Sequence, residues 1–285
     1  MLASIFLPLL LQVGPNPALT LPPAVPDELV EQRRLTRERQ SAPLAIVEFD
    51  PVQTCAARAE ADPASALANA QALISRSNGV DRAIAGHCAA LALSAQEQWS
   101  AAAQAFAEAR AALPAGQADY AARLALAQGA AHLASGDGAA ALAAADQAHT
   151  NLAHTNLAGP GGNGPLAGAI QTDRARALVA LGRLDEAAAA LVTARDADPD
   201  NDEVWLLSAT LSRRMGDLAA AQAQIERAAI LRPAGPEIGL EAGVIAALDG
   251  RDEAALRSWR SVLESAPGTP AALTAADYIA QLRGQ

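Results

Sequence analysis

Lysine is absent from this 285-residue chain, so all 21 of its basic side chains are arginine. Set against 31 acidic residues, they leave a net charge of −10. No basic stripe and no aromatics interleaved with arginine occur, which excludes nucleic acid as an expected partner. The missing lysine, together with abundant Ala, Arg, Gly and Pro, is the codon signature of a GC-rich bacterial genome. Aromatics make up only 3%, and valine and isoleucine are too sparse for a large sheet. There are two cysteines and four histidines, and none falls in a metal-binding pattern. No cysteine pair has zinc spacing, no His-Glu-x-x-His occurs, and His149 and His154 are five apart, on different helix faces. Gly-x-Ser-x-Gly is missing, and the glycine run at 159–165 (GPGGNGP) lacks the preceding strand and the following lysine of a phosphate loop. No catalytic, cofactor-binding or metal-ligating residue is nominated. The chain is expected not to be an enzyme and to carry no cofactor.

Long apolar runs are also missing, apart from one at the start. Residues 1–13 read MLASIFLPLLLQV, shorter than the roughly 20 residues that span a bilayer and of the length of a secretory h-region. No basic residue precedes it and no clean small-x-small cleavage site follows. Residues 1–26 are read as a signal peptide or hydrophobic leader, with a proline-rich end (GPNPALTLPPAVP) that favours extended backbone. Residues 27–50 form a charged linker, and 51–285 the main domain. On this reading the protein is periplasmic or otherwise exported, with no membrane span in the mature chain. The alternative is a cytoplasmic protein whose apolar start is an interaction tail.

Alanine is what the chain has most of, at 76 positions. It loses no side-chain entropy on entering a helix, and its small size lets helices approach closely. The alanines are also ordered. Gly182, Gly216 and Gly250 recur with a 34-residue period, as do Ala187, Ala221 and Ala255, and Pro199, Pro233 and Pro267. Three columns in register predict an all-α solenoid of stacked antiparallel helix pairs.

In these columns the chain resembles the tetratricopeptide repeat (TPR) family. That family's unit has a small residue near position 8, alanine at 20, a bulky apolar residue at 24, a small one at 27 and proline at 32. Here those places hold Ala175, Ala187, Leu191, Ala194 and Pro199, then Ala209, Ala221, Ile225, Ala228 and Pro233. A third copy has Gly243, Ala255, Trp259 and Pro267, with Val262 where a small residue is usual. Upstream, Ala90, Ala102, Phe106, Ala109 and Pro114 fit one unit, and Gly129, Gly136, Ala141 and Ala148 another. A degenerate hairpin at 52–77 precedes these, and 270–282 reads as a capping helix, giving about five to six hairpins in all. The spacing stretches twice, by five places between Ala102 and Ala141 and by twelve between Gly136 and Gly182. The second stretch holds a duplication, HTNLA at 149–153 and again at 154–158, ahead of the glycine run. The first copy is expected to extend a helix.

The resemblance implies a concave groove, lined by the leading helices, that takes a peptide or partner protein. The family's chaperone-tail clamp of lysines and asparagines is not present. Arg176, Thr210, Arg213 and Arg214 remain as a small cluster at groove positions of adjacent repeats, the candidate contacts for an acidic or C-terminal group. His132 is expected to be a half-buried packing residue. Cys55 and Cys88, 33 apart on leading helices, form a candidate disulfide in an exported chain; otherwise they are two small buried side chains. The expected function is a non-catalytic protein-interaction scaffold of the bacterial envelope. The alternatives are a cytoplasmic assembly adaptor or an accessory subunit of an envelope enzyme complex. The residues do not name the partner or the oligomeric state.

Overall fold

The computed structural model describes residues 51–153 and 164–283. The leader, the linker, the second HTNLA copy and most of the glycine run lie outside the described residues. In the described residues the alanine-rich segments form thirteen helices and no strands. The all-α solenoid that the 34-residue period predicts is the observed architecture.

The helices pair as six antiparallel hairpins. α1 (Pro51–Ala61) and α2 (Pro63–Ile74) form the first, and α3 (Gly79–Ala95) and α4 (Trp99–Ala111) the second. α5 (Ala118–Ala134) and α6 (Gly138–Ala153) follow, then α7 (Gly164–Ala180) and α8 (Leu184–Ala197). α9 (Asp202–Arg214) pairs with α10 (Leu218–Leu231), and α11 (Pro236–Leu248) with α12 (Asp252–Ser265). α13 (Pro270–Arg283) closes the stack against α12. The helix ends have local causes. Asp62, Asn201 and Asp217 accept hydrogen bonds from the backbone amides of Ser65, Glu203 and Ala220, satisfying donors that the first turn leaves unpaired. Pro199, Pro233 and Pro267 each lie two residues beyond a helix end, because proline lacks the amide that would continue the ladder. The first HTNLA copy is helical and lengthens α6, as expected.

The repeat columns are the core. Ala102, Ala187, Ala221 and Ala255 are fully buried, as are Ala148, Ala194 and Ala228 one column on. Phe106, Leu191, Ile225 and Trp259 fill the bulky column between them. The last hairpin solves the same packing problem in a different way. An ideal Cβ on Gly243 would overlap the Trp259 indole, and one on Gly239 would lie 2.6 Å from Val262 Cγ2. Two oversized side chains on α12 thus sit over two bare backbone sites on α11, which keeps the interior close-packed.

From the second hairpin on, the turn inside each hairpin uses one left-handed residue. Gly136, Gly182, Gly216 and Gly250 supply it with φ between 70° and 85°, at the end of the first helix. In the second hairpin that place is taken by Glu97, at φ 57° and exposed. A side chain there is strained because its Cβ crowds the backbone. Glu97→Gly is therefore expected to raise stability by about 0.5–1 kcal/mol, seen as a higher midpoint in urea. An unchanged or lower midpoint would contradict the strain.

Candidate functional site

Leading helices of successive hairpins also meet one another, α1 with α3, α5 with α7, α9 with α11, and α11 with α13. The following helices make no comparable contacts among themselves. Closer spacing on one side curves the stack toward it, so the leading helices line the concave face.

On that face, between α7 and α9, lies an apolar cleft of about 160 Å³. Val179, Leu191, Leu207 and Leu211 floor it, and Arg176, Thr210 and Arg214 stand at its edge. Three of the four arginine and threonine candidates thus line one cleft. Arg213 lies outside it and turns onto α11, where it meets Glu241 through two hydrogen bonds of 2.6 and 3.4 Å. Arg176 is also engaged. It donates to Asp173 at 2.6 Å and to Glu203 on α9, so it braces the two walls of the cleft. Burial pushes the Asp173 carboxyl up from its ordinary value, against the opposing pull of Arg176. Arg214 is exposed. As a contact for an arriving acid, Arg214 is the better placed of the three arginines, since the other two already hold carboxylates.

These braces are not apparent along the chain, because each joins residues almost one repeat apart. Arg176–Glu203 spans 27 residues, Arg213–Glu241 28 and Arg227–Asp200 27. A basic residue followed, or preceded, by an acid at that offset was the available signal. The large aromatics serve the scaffold in a similar way. Trp205 donates to the Pro199 carbonyl at 2.8 Å, and Arg195 lies 5.2 Å from the centre of its ring. His132 is half-buried beside Gln128, and the His87 ring packs against Phe106 and Tyr120.

At the other end of the stack, Cys55 on α1 and Cys88 on α3 are joined in a disulfide, with Cα atoms 5.2 Å apart. Both belong to leading helices, so the bond ties the first hairpin to the second along the concave side. Among the described residues no group of three or more His, Cys, Asp or Glu is arranged to hold a metal ion. No helix among them is long and apolar enough to cross a membrane.

Residues 168–211, which hold most of the cleft, match the family model of the tetratricopeptide repeat. That model describes a repeat, and no catalytic family is indicated. No curated protein matches the chain. Solved structures do. A thermophilic TPR protein of Thermus thermophilus superposes with a TM-score of 0.53 at 21% identity, covering 69% of this chain and 96% of that one. A tetratricopeptide repeat protein of Parabacteroides merdae ATCC 43184 gives 0.52 at 13% identity, with 68% and 71% covered. MamA, residues 41 to the end, from Desulfovibrio magneticus RS-1 gives 0.51 at 13% identity, with 66% and 97% covered. At such identities the likeness speaks for the fold alone. Residues 168–211 match the tetratricopeptide repeat, and the described hairpins share the fold of the tetratricopeptide-repeat proteins that they resemble.

Proposed function

We propose that this protein is a non-catalytic scaffold that binds a peptide segment of a partner protein on its concave face, at the α7–α9 cleft. One observation carries the reading: an apolar floor of Val179, Leu191, Leu207 and Leu211 beside the exposed cation of Arg214. Such a site takes an aliphatic side chain and orients it by an adjacent acid. The Arg176 bridge holds α7 and α9 at a fixed separation, so little of the binding free energy goes into ordering the site.

We place the scaffold in the bacterial envelope. The apolar start of the chain supports this, as does the disulfide, a bond that persists in oxidising compartments. Amino-terminal sequencing of the cell-derived protein tests export, and an intact Met1 would count against cleavage.

Selection from a displayed random-peptide library tests the groove. Enriched peptides are expected to pair an aliphatic residue with a nearby Asp or Glu. Leu207→Arg should abolish the enrichment, and Arg214→Glu should reverse the charge preference. An enriched set unchanged by Leu207→Arg would exclude the cleft.

A further inference from the structure

The side away from the groove carries a cleft of different chemistry. It lies between the following helices α4 and α6, over the 112–117 turn that leads into α5, with a volume of about 360 Å³. This is the stretch where the repeat spacing first lengthens beyond its 34-residue period. Alanines, Leu113 and Pro114 form its walls, and Arg110, Gln117, Gln147 and Asn151 are its larger polar lining.

Two of those side chains are unsatisfied. Among the described residues Arg110 Nη1 is shielded from solvent and meets no acceptor, and no carboxylate pairs with this guanidinium. Arg176, Arg213, Arg227 and Arg232, by contrast, each meet an acid from a neighbouring element. Burial lowers the Arg110 pKa with no partner charge to offset it. Across the cleft, Asn151 Oδ1 accepts from Gln147 Nε2 at 3.2 Å. With Oδ1 so engaged, Asn151 Nδ2 is shielded and meets no acceptor among the described residues. Leaving a buried donor unpaired is costly, and here two donors border one cleft with no acceptor supplied by the described residues.

The complement of two donors, one of them a guanidinium fork, is a planar anionic acceptor. The alanine and proline walls favour an organic acid over a compact, strongly hydrated inorganic ion. We propose that this cleft binds the carboxylate of an aliphatic ligand, with Arg110 and Asn151 as its donors. The long arginine stem lets the guanidinium swing from its shielded position onto an oxygen seated in the cleft. The carboxylate comes from a free acid or from the end of a peptide chain, and the chemistry of recognition is the same for both.

Titration calorimetry on the full oxidised chain tests this, with N-acetylleucine and a hexapeptide ending in leucine as probes, each also as its C-terminal amide. The free carboxylates are expected to bind about tenfold or more tightly than the amides. Arg110→Gln should weaken them by a similar factor, Asn151→Ala by a few-fold, and Arg110→Lys by less than Arg110→Gln. In the Leu207→Arg background, which removes any contribution of the concave groove, the Arg110-dependent binding should persist. Binding of both probes shows that the carboxylate alone is read, and binding of the peptide only assigns it to a chain terminus. Either result supports the site. Equal binding of acids and amides would overturn it, as would insensitivity to Arg110→Gln in a variant with an unaltered melting profile. Loss of the Arg110-dependent binding in the Leu207→Arg background, or binding of sodium phosphate in preference to both acids, would overturn it equally.

Discussion

Cys88→Ala is expected to loosen the first hairpin by about 2–4 kcal/mol while leaving the far end of the solenoid unaffected. The size follows from the closed loop, whose ends are 33 residues apart, and from how little else holds this hairpin. α1 buries only Ala59 and α2 only Ala70, each a single methyl group. Hairpins further along bury whole columns, including Leu191, Ile225 and Trp259. In a solenoid each hairpin is stabilised mainly by its neighbours, so the loss stays local. Hydrogen exchange read by mass spectrometry is the direct measurement. Protection of α1 and α2 should fall by roughly 30-fold or more, and that of α9 to α12 should not move. Reductant should reproduce the effect in the parent protein and do nothing further to the variant. If reductant leaves α1 unchanged, the staple is energetically idle.

Gly243→Ala is expected to cost about 1–3 kcal/mol, the range for overpacking a close-packed interior. The added methyl would overlap the Trp259 indole, whose Nε1 donates to the Leu240 carbonyl at 3.1 Å and so resists displacement. Two hairpins earlier, the same places are held by Ala175 and Leu191, both buried without conflict. Trp259→Leu on its own should also destabilise, through the cavity it leaves. Combined with Gly243→Ala it recreates the Ala and Leu pair, so the double variant should be more stable than the two single costs predict. A coupling of about 1 kcal/mol or more in thermal melts would establish the exchange. Strict additivity would show that the two sites do not pack as a unit.

Both of these effects sit where the chain departs from its own repeat. The regular positions were legible in advance: small residues at two columns, bulky ones at a third, proline after each pair. Gly243 and Trp259 read as ordinary members of their columns, and only Val262 as a departure. That a large indole had been exchanged for a missing methyl on the facing helix needed the distance between them. The groove arginines show the same limit. Their positions on the leading helices followed from the register, and the α7–α9 cleft gathers Arg176, Thr210 and Arg214. Their bonding did not follow, because Glu203 and Glu241 reach back from the next hairpin. Arg110 and Asn151 stand more than one repeat apart, and nothing in their local sequence marks either as lacking a partner.

The amino-acid sequence by itself determined that this protein is a stack of helix pairs, since period and residue size are properties of a linear pattern and each hairpin can bury its face only against its neighbours. The tertiary structure decided which polar groups are already satisfied and which are left over. Charge pairing depends on side chains brought together from different hairpins, over distances that no single repeat encodes. Arg213 is held by its neighbour, Arg214 is exposed at the cleft, and Arg110 Nη1 is shielded with no partner among the described residues.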